Sequence, residues 1–262
     1  MLIDTSLSGR GAVITGGGRG IGAAVAAALS ERGVRVVVSA RSTDQIEATA
    51  AKLRADGAEA HAVPCDVADA KEVAKLAKRA QELVGPVEIL INNAGFAPSA
   101  PLRAIELADW QRVFAVNVTG TMLCTQAFAP QMFEQGWGRV VNIASIAGRV
   151  GAPYISAYAA SKHAMVGLTR ALGAEFAKSG VTVNAVCPGY VDTPMTELSV
   201  ARIMEKTGMA EDKVRDHLTE ASPQGRLMEP SEVAYLVACL CESHAQGINA
   251  QAIVIDGGGV QA

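Results

Sequence analysis

No stretch of this 262-residue chain approaches the roughly 18 consecutive apolar residues that a bilayer-crossing helix needs. Its first residues also lack the basic segment and apolar core of a secretory signal, so a soluble, cytoplasmic protein with no membrane partner is expected. Cations are not clustered: 23 Lys and Arg against 26 Asp and Glu give a formal net charge of −3, which argues against nucleic acid as a partner. Cysteine is sparse and scattered, with five residues and no Cys-x-x-Cys; Cys239-x-Cys241 lies in an apolar helical stretch and reads as core packing. The four histidines, at 61, 163, 217 and 244, show no ligand spacing, so no essential metal is expected. No linker, internal repeat or low-complexity tract divides the chain beyond alanine-rich helices, which leaves residues 1–262 as one domain.

What the chain does have is hydrophobicity in short bursts. Half of its residues are hydrophobic, gathered in runs such as 34–38, 89–91 and 181–186 between alanine-rich stretches. Short apolar runs alternating with helical segments are the pattern of parallel strands buried on both faces and joined by crossover helices. Strands are predicted near 11–15, 34–39, 59–64, 87–92, 138–144, 181–186 and 251–256, with long helices near 107–135 and 156–179. The expected fold is a single-domain α/β, Rossmann-type, doubly wound parallel sheet of about seven strands with helices on both faces. One connection, 190–228, is too long for a simple crossover; Pro230-Ser231-Glu232 then starts a helix. Long ordered insertions tend to be functional, and this one is the candidate substrate lid.

Two local motifs carry chemistry. Thr15-Gly16-Gly17-Gly18-Arg19-Gly20-Ile21-Gly22 follows the apolar run 12–14 and opens an alanine-rich helix. Small residues there let the backbone approach a pyrophosphate, whose charge the free N–H groups at the helix start stabilise. The segment lacks the Gly-Lys-Ser/Thr ending of a nucleotide-hydrolysing loop. The second motif is Tyr158-Ala-Ala-Ser-Lys162, whose four-residue spacing puts a phenol and an ammonium on one helical face. An adjacent cation favours the phenolate, so Lys162 is expected to lower the pKa of Tyr158 towards neutrality. Alone, the pair reads equally as a half-buried Tyr beside a solvated Lys.

Joined by Asn92-Asn93-Ala94-Gly95, Asn117, Ser145 and Pro188-Gly189, these motifs resemble the short-chain dehydrogenase/reductase family. The resemblance runs in the family's order from about residue 9 to the C-terminus. It implies an enzyme that moves hydride between a nicotinamide and a carbonyl or secondary alcohol. Tyr158 would be the acid/base, Lys162 would depress its pKa and hold the cofactor ribose, and Ser145 would bind the substrate oxygen. Asn117 would hold a water for proton relay. Gly16, Gly18, Arg19, Gly20, Ile21 and Gly22 would cradle the dinucleotide phosphates. Asp66 and Val67 would take the adenine, while Asn93, Val191 and Thr193 would line the rest, Thr193 near the carboxamide. The family also implies a homotetramer packed through its long helices and last strand.

Cofactor choice turns on a missing carboxylate. The slot after the second strand where NAD-specific members place an acid is Ala40, and Arg41 follows, a planar multi-donor cation suited to a 2′-phosphate. NADP(H) is therefore expected, with NAD(H) as the alternative and a solvent-facing helix cap as the plain reading of Arg41. For substrate, segments 139–146 and 158–195 are similar to ketoreductases of 3-oxoacyl thioesters and aromatic polyketides. The lid is similar also to that of 3-hydroxybutyrate dehydrogenases. Phe96-Ala97-Pro98-Ser99-Ala100 departs from both ketoreductase groups. The expected reaction interconverts a ketone and a secondary alcohol, with a 3-oxoacyl-type thioester or related carbonyl as the small-molecule substrate, carried on coenzyme A or an acyl carrier or free. An NAD-linked secondary alcohol or hydroxy-acid dehydrogenase and a non-catalytic dinucleotide sensor stand as alternatives. Arg202, Lys206, Lys213 and Arg215 offer charge for carrier phosphates but alternate with acids, as a solvated helical surface would.

Overall fold

Each apolar burst becomes a strand because it is too short and too rich in Val and Ile for a helix, and because helices cover it on both sides. The computed structural model describes residues 7–261; residues 1–6 and 262, and with them the expectation drawn from the first residues, lie outside that range. In chain order the elements are β1 (Gly11–Thr15), α1 (Gly20–Ser30), β2 (Arg35–Ala40), α2 (Thr43–Ala55), β3 (Ala60–Pro64), α3 (Ala70–Val84), β4 (Val87–Asn92), α4 (Leu107–Phe114) and α5 (Gly120–Gln135). There follow β5 (Gly138–Ile143), α6 (Ser156–Phe176), β6 (Val181–Pro188), α7 (Pro194–Thr207), α8 (Glu211–Glu220), α9 (Pro230–Cys241) and β7 (Ala252–Ile255). The seven strands are parallel, as the sequence predicts, and lie in the order β3-β2-β1-β4-β5-β6-β7.

Alternate residues of each strand feed two cores. Ala12, Ile14, Val36, Val38, Ile89 and Ile91 pack with α1, α2 and α9, whereas Val13, Val37, Leu90 and Val140 pack with α3 and α5. A third, smaller cluster sets Met165 and Val166 of α6 on Ala185 and Cys187 of β6. The strand order reverses between β1 and β4, and a crevice opens there at the carboxyl ends of the strands. Local signals end and start the helices around it. Asp69 caps α3 by accepting from the N–H groups of Lys71 and Glu72, and Glu229 with Glu232 forms a capping box that starts α9 at Pro230.

Two sequence expectations are refined. The long helix expected over 107–135 is interrupted at residues 115–119, where the ladder widens to π geometry around Asn117. One extra residue in the turn redirects the backbone, a device common at functional sites and invisible to a 3.6-residue periodicity. The long connection 190–228 contains two helices, α7 and α8, whose own small core is Val200, Val214 and Leu218.

Candidate active site

The glycine loop joins β1 to α1 at the crevice. Gly16 has φ +64°, and a Cβ there would lie 2.8 Å from Asn93 Nδ2, so only glycine fits. Asn93 donates from that nitrogen to the carbonyls of Thr15 and Gly16, both at 3.0 Å, and the Thr15 hydroxyl accepts the N–H groups of Asn93 and Ala94. Asn93, expected to line the dinucleotide, commits its amide nitrogen to the loop and so ties the end of β4 to it. Above this latch, α1 begins at Arg19 with no side-chain cap and no acid in its first turn. Its first N–H groups and its positive dipole end are left for an anion.

Tyr158, Ser145 and Lys162 meet opposite that loop. Ser145 lies close enough to the Tyr158 phenol to favour its charged form, but burial outweighs this and pushes its pKa up to about 12. Lys162 is 3% exposed, and burial lowers its pKa to about 8. Its Nζ donates to the Ile143 carbonyl at 2.7 Å, lies 3.9 Å from Met165 Sδ, and is 5.7 Å from the centre of the Tyr158 ring. The expected lowering of the Tyr158 pKa by Lys162 is thus corrected for this state of the site. The ammonium turns toward a backbone carbonyl, and loss of hydration by both groups is the larger effect.

Asn117 is fully buried, and its amide is satisfied by protein. Its Oδ1 accepts from Phe96 N at 2.8 Å, while its Nδ2 donates to Phe96 O at 3.0 Å and Ser161 Oγ at 2.9 Å. Its carbonyl accepts from Thr121 Oγ1 at 2.9 Å. The side chain is therefore a clamp between the π turn, the loop after β4 and α6. A Cβ built on Gly95 would lie 3.7 Å from Asn117 Oδ1 and 3.9 Å from Lys162 Nζ, which places both around one glycine.

At the far rim, Arg41 Nη1 stands 3.9 Å from Asp66 Oδ2, with both side chains open to solvent. Asp66 Oδ1 accepts from Ala68 N, and Val67 is buried against Gly120, so the end of β3 is held firmly. Thr193 caps α7, accepting from Thr196 N, and its methyl lies 3.2 Å from a Cβ built on Gly20. Val191 is buried and pairs with Met228. Predicted residues distant in sequence thus adjoin one another: Thr193 meets Gly20, Asn93 meets Gly16, Asn117 and Lys162 share Gly95, and Arg41 faces Asp66.

Arg215 is occupied by Glu197 and Glu211, while Arg202 and Lys206 donate to the carbonyls of Ala97 and Ser99. Arg202 and Lys206 thus hold α7 to the loop after β4. Among residues that sequence reasoning missed, Ser161 is the clearest: buried, it accepts from Asn117 and donates to the Tyr158 carbonyl at 2.7 Å. Its place inside Tyr-Ala-Ala-Ser-Lys was the available signal. The Thr15 hydroxyl had none beyond its position at a strand end.

Such a sheet, with an uncapped glycine-rich helix start at its switch point, defines a dinucleotide-binding fold of the Rossmann type. The residues fit a nicotinamide dinucleotide: α1 offers unclaimed N–H donors, the β2 end carries no carboxylate, and the Lys162 ammonium has donor capacity beyond Ile143. Residues 10–203 match the short chain dehydrogenase family, and the chain belongs to it. It is an oxidoreductase acting on CH–OH and keto groups.

The 3-oxoacyl-[acyl-carrier-protein] reductase of Synechocystis is 38% identical over 97% of this chain and 98% of its own. A cis-4-hydroxycyclohexanecarboxylate dehydrogenase of Sinomonas cyclohexanicum is 39% identical over 95% of this chain and 96% of its own. A crystal structure of a single-substitution variant of actinorhodin polyketide ketoreductase with NADPH superposes with a TM-score of 0.93 at 38% identity, covering 95% of this chain and 97% of that one.

Proposed function

We propose that the enzyme is an NADP(H)-dependent ketoreductase whose substrate is a 3-oxoacyl-type thioester or a closely related carbonyl. The observation that carries this reading is buried Lys162, its Nζ 5.7 Å from the centre of the Tyr158 ring, in a fold whose glycine loop opens an uncapped helix. Resemblance to a 3-oxoacyl-carrier reductase and to an NADPH-bound polyketide ketoreductase supports the substrate class and the cofactor. When bound, the cofactor supplies the hydride for the carbonyl carbon.

The chain's own residues do the rest. Gly16, Gly18, Arg19, Gly20, Ile21 and Gly22 hold the phosphates at the α1 start, and Arg41 takes the 2′-phosphate. Asp66 accepts from the adenine amine and Val67 packs on its ring. Val191 and Thr193 close the nicotinamide end. Ser145 donates to the substrate carbonyl oxygen and steadies the negative charge that grows there. Tyr158 gives its Oη proton to that oxygen in reduction, or takes one from the alcohol in oxidation. A phenol with a pKa near 12 is protonated and ready to donate. Lys162 holds the ribose and, as a cation, favours the phenolate left behind. Asn117, clamped to Phe96 and Ser161, fixes the wall beside Lys162.

Helices α7 and α8 form the lid over the substrate. The chain assembles as a homotetramer; exposed Leu107 and Trp110 on α4 and Met122 and Phe133 on α5 supply apolar surface for that contact. Its five free cysteines, four of them buried, suit a reducing cytoplasm.

The test is loss of NADPH or NADH absorbance with a panel of acyl thioesters and free ketones, on wild type and Tyr158→Phe. Wild type should prefer NADPH with a 3-oxoacyl thioester. The variant should bind NADPH yet lose about 100- to 10,000-fold in turnover, the range of general acid catalysis. Faster turnover with NADH, or a variant keeping a tenth of the activity, would refute the assignment.

A further inference from the structure

Beside the Ser145–Tyr158 pair the crevice continues under the lid as a recess lined by Ile146, Tyr190, Leu218, Met228 and Asp256. Ile146 follows Ser145 and Tyr190 follows Gly189, so the mouth of the recess adjoins the proposed carbonyl site. Asp256 adds no free acceptor to speak of: Oδ1 accepts the N–H groups of Gly258 and Gly259, and Oδ2 that of Val260. Ser222 also lines the recess, its hydroxyl accepting from Gln224 N; the other side chains leave an apolar surface with one phenol.

That phenol is held in place by its backbone. The Tyr190 carbonyl accepts from Met228 N at 2.9 Å, and Gly189 N donates to the Ile255 carbonyl at 3.0 Å. A Cβ on Gly189 would lie 2.9 Å from Asp256 Cβ, so the turn presenting Tyr190 has no slack. The residue is 41% exposed, yet partial burial raises the pKa of its hydroxyl, and it lies close enough to Tyr158 for its charge to raise that pKa too. Among the described residues the Tyr190 hydroxyl has no hydrogen-bond partner. A half-dried donor with no partner, next to the reaction centre and within an apolar recess, awaits an acceptor on the ligand.

We infer that Tyr190 is a specificity-determining residue, donating its hydroxyl hydrogen bond to a second oxygen of the substrate near the reacting carbonyl, while Ile146, Leu218 and Met228 take the adjoining apolar part. This rests on the functional reading above and narrows it: the recess selects β-oxo compounds over simple ketones. A site built to hydrogen-bond a substrate oxygen rejects an analogue that lacks it, because the donor is then left unpaired.

The experiment measures kcat and KM with NADPH for wild type and Tyr190→Phe on three probes. They are the acetoacetyl thioester of N-acetylcysteamine, ethyl 3-oxobutanoate and the monoketone 2-hexanone. Phenylalanine keeps the ring and removes only the hydroxyl. The ratio of kcat/KM for each 3-oxo probe to that for the monoketone should fall about tenfold, carried mainly by KM for the 3-oxo probes. A wild type that favours the monoketone, or a variant that changes all three probes alike or none, overturns the inference and leaves the ketoreductase reading standing. A wild type inert toward all three overturns that reading, and this inference with it.

Discussion

Around the glycine loop the contacts are made by backbone atoms, the partly buried Asn93 amide and the buried Thr15 hydroxyl, whereas α7 and α8 join a small apolar core to exposed ion pairs. The loop is fixed by Asn93 and Thr15 from below and by Gly22, where a Cβ would collide with the Gly16 carbonyl. Helices α7 and α8, proposed as the lid, are tied at their surface by Arg215 with Glu197 and Glu211, and by Arg202 and Lys206 on carbonyls of the loop after β4. Buried, directional contacts tolerate little change, while solvent-screened ion pairs contribute little each. The loop is thus held by directional contacts that leave little room, and α7 and α8 by a small core with ion pairs at its surface.

Substitution should expose that contrast most sharply at Gly22. In Gly22→Ala the new methyl must displace the loop; overpacking of this kind typically costs about 1–3 kcal/mol, and the displaced atoms carry the phosphate contacts. The dissociation constant for NADPH should rise about 100-fold, read by cofactor fluorescence titration. Unchanged affinity would mean that the loop is as pliable as the lid.

Arg41 sits on the cofactor side but in solvent, 3.9 Å from Asp66, and so tests whether exposure or position decides. In Arg41→Ala the Michaelis constant for NADPH should rise roughly ten- to hundred-fold, as for loss of a charge-assisted hydrogen bond, with that for NADH almost unchanged. Equal effects on both cofactors would remove Arg41 from 2′-phosphate recognition.

Lys162 brings pH into the comparison. Its folded pKa, about 8, lies below the unfolded value of 10.5, so between these values the unfolded chain binds more protons and this residue's contribution to stability rises with pH. Buried thiols act oppositely: Cys65, Cys124 and Cys241, raised to about 12 by burial, lose stability above their unfolded value. The measurement is therefore the difference in unfolding free energy between wild type and Lys162→Met, without cofactor. It should move in favour of wild type by roughly 2 kcal/mol from about pH 7.5 to about pH 9.5. A flat difference would mean that the ammonium is hydrated rather than buried.

The smallest effect belongs to the lid. Arg215→Ala removes both ion pairs from an exposed surface and should shift the melting temperature by no more than about 2 °C, less still in high salt. A large, salt-independent drop would show the lid to be as tightly built as the glycine loop.

How much of this was legible in the chain depended on how local each feature is. The strands of 11–15 and 87–92 coincide with β1 and β4 because apolar runs bounded by turn residues carry their own limits. Gly16 to Gly22 and Tyr158 with Lys162 were legible because their spacing alone sets their geometry. Ser161 was hidden within that same segment, since its worth lies in reaching Asn117, 44 positions earlier in the chain.

By itself, then, the sequence determined the parallel α/β architecture and the glycine loop, because periodicity and short-range spacing are properties of neighbouring residues, while the company of Ser145, Tyr158 and Lys162 followed from the family resemblance. Tertiary structure alone decided that the helix through Asn117 opens into a π turn, that Asn93 works beneath the loop, and that Lys162 faces Ile143 rather than the phenol. It also brought Tyr190 beside Tyr158. Each of these depends on burial and on partners distant in sequence, where loss of hydration competes with charge and neither can be weighed until the chain has folded.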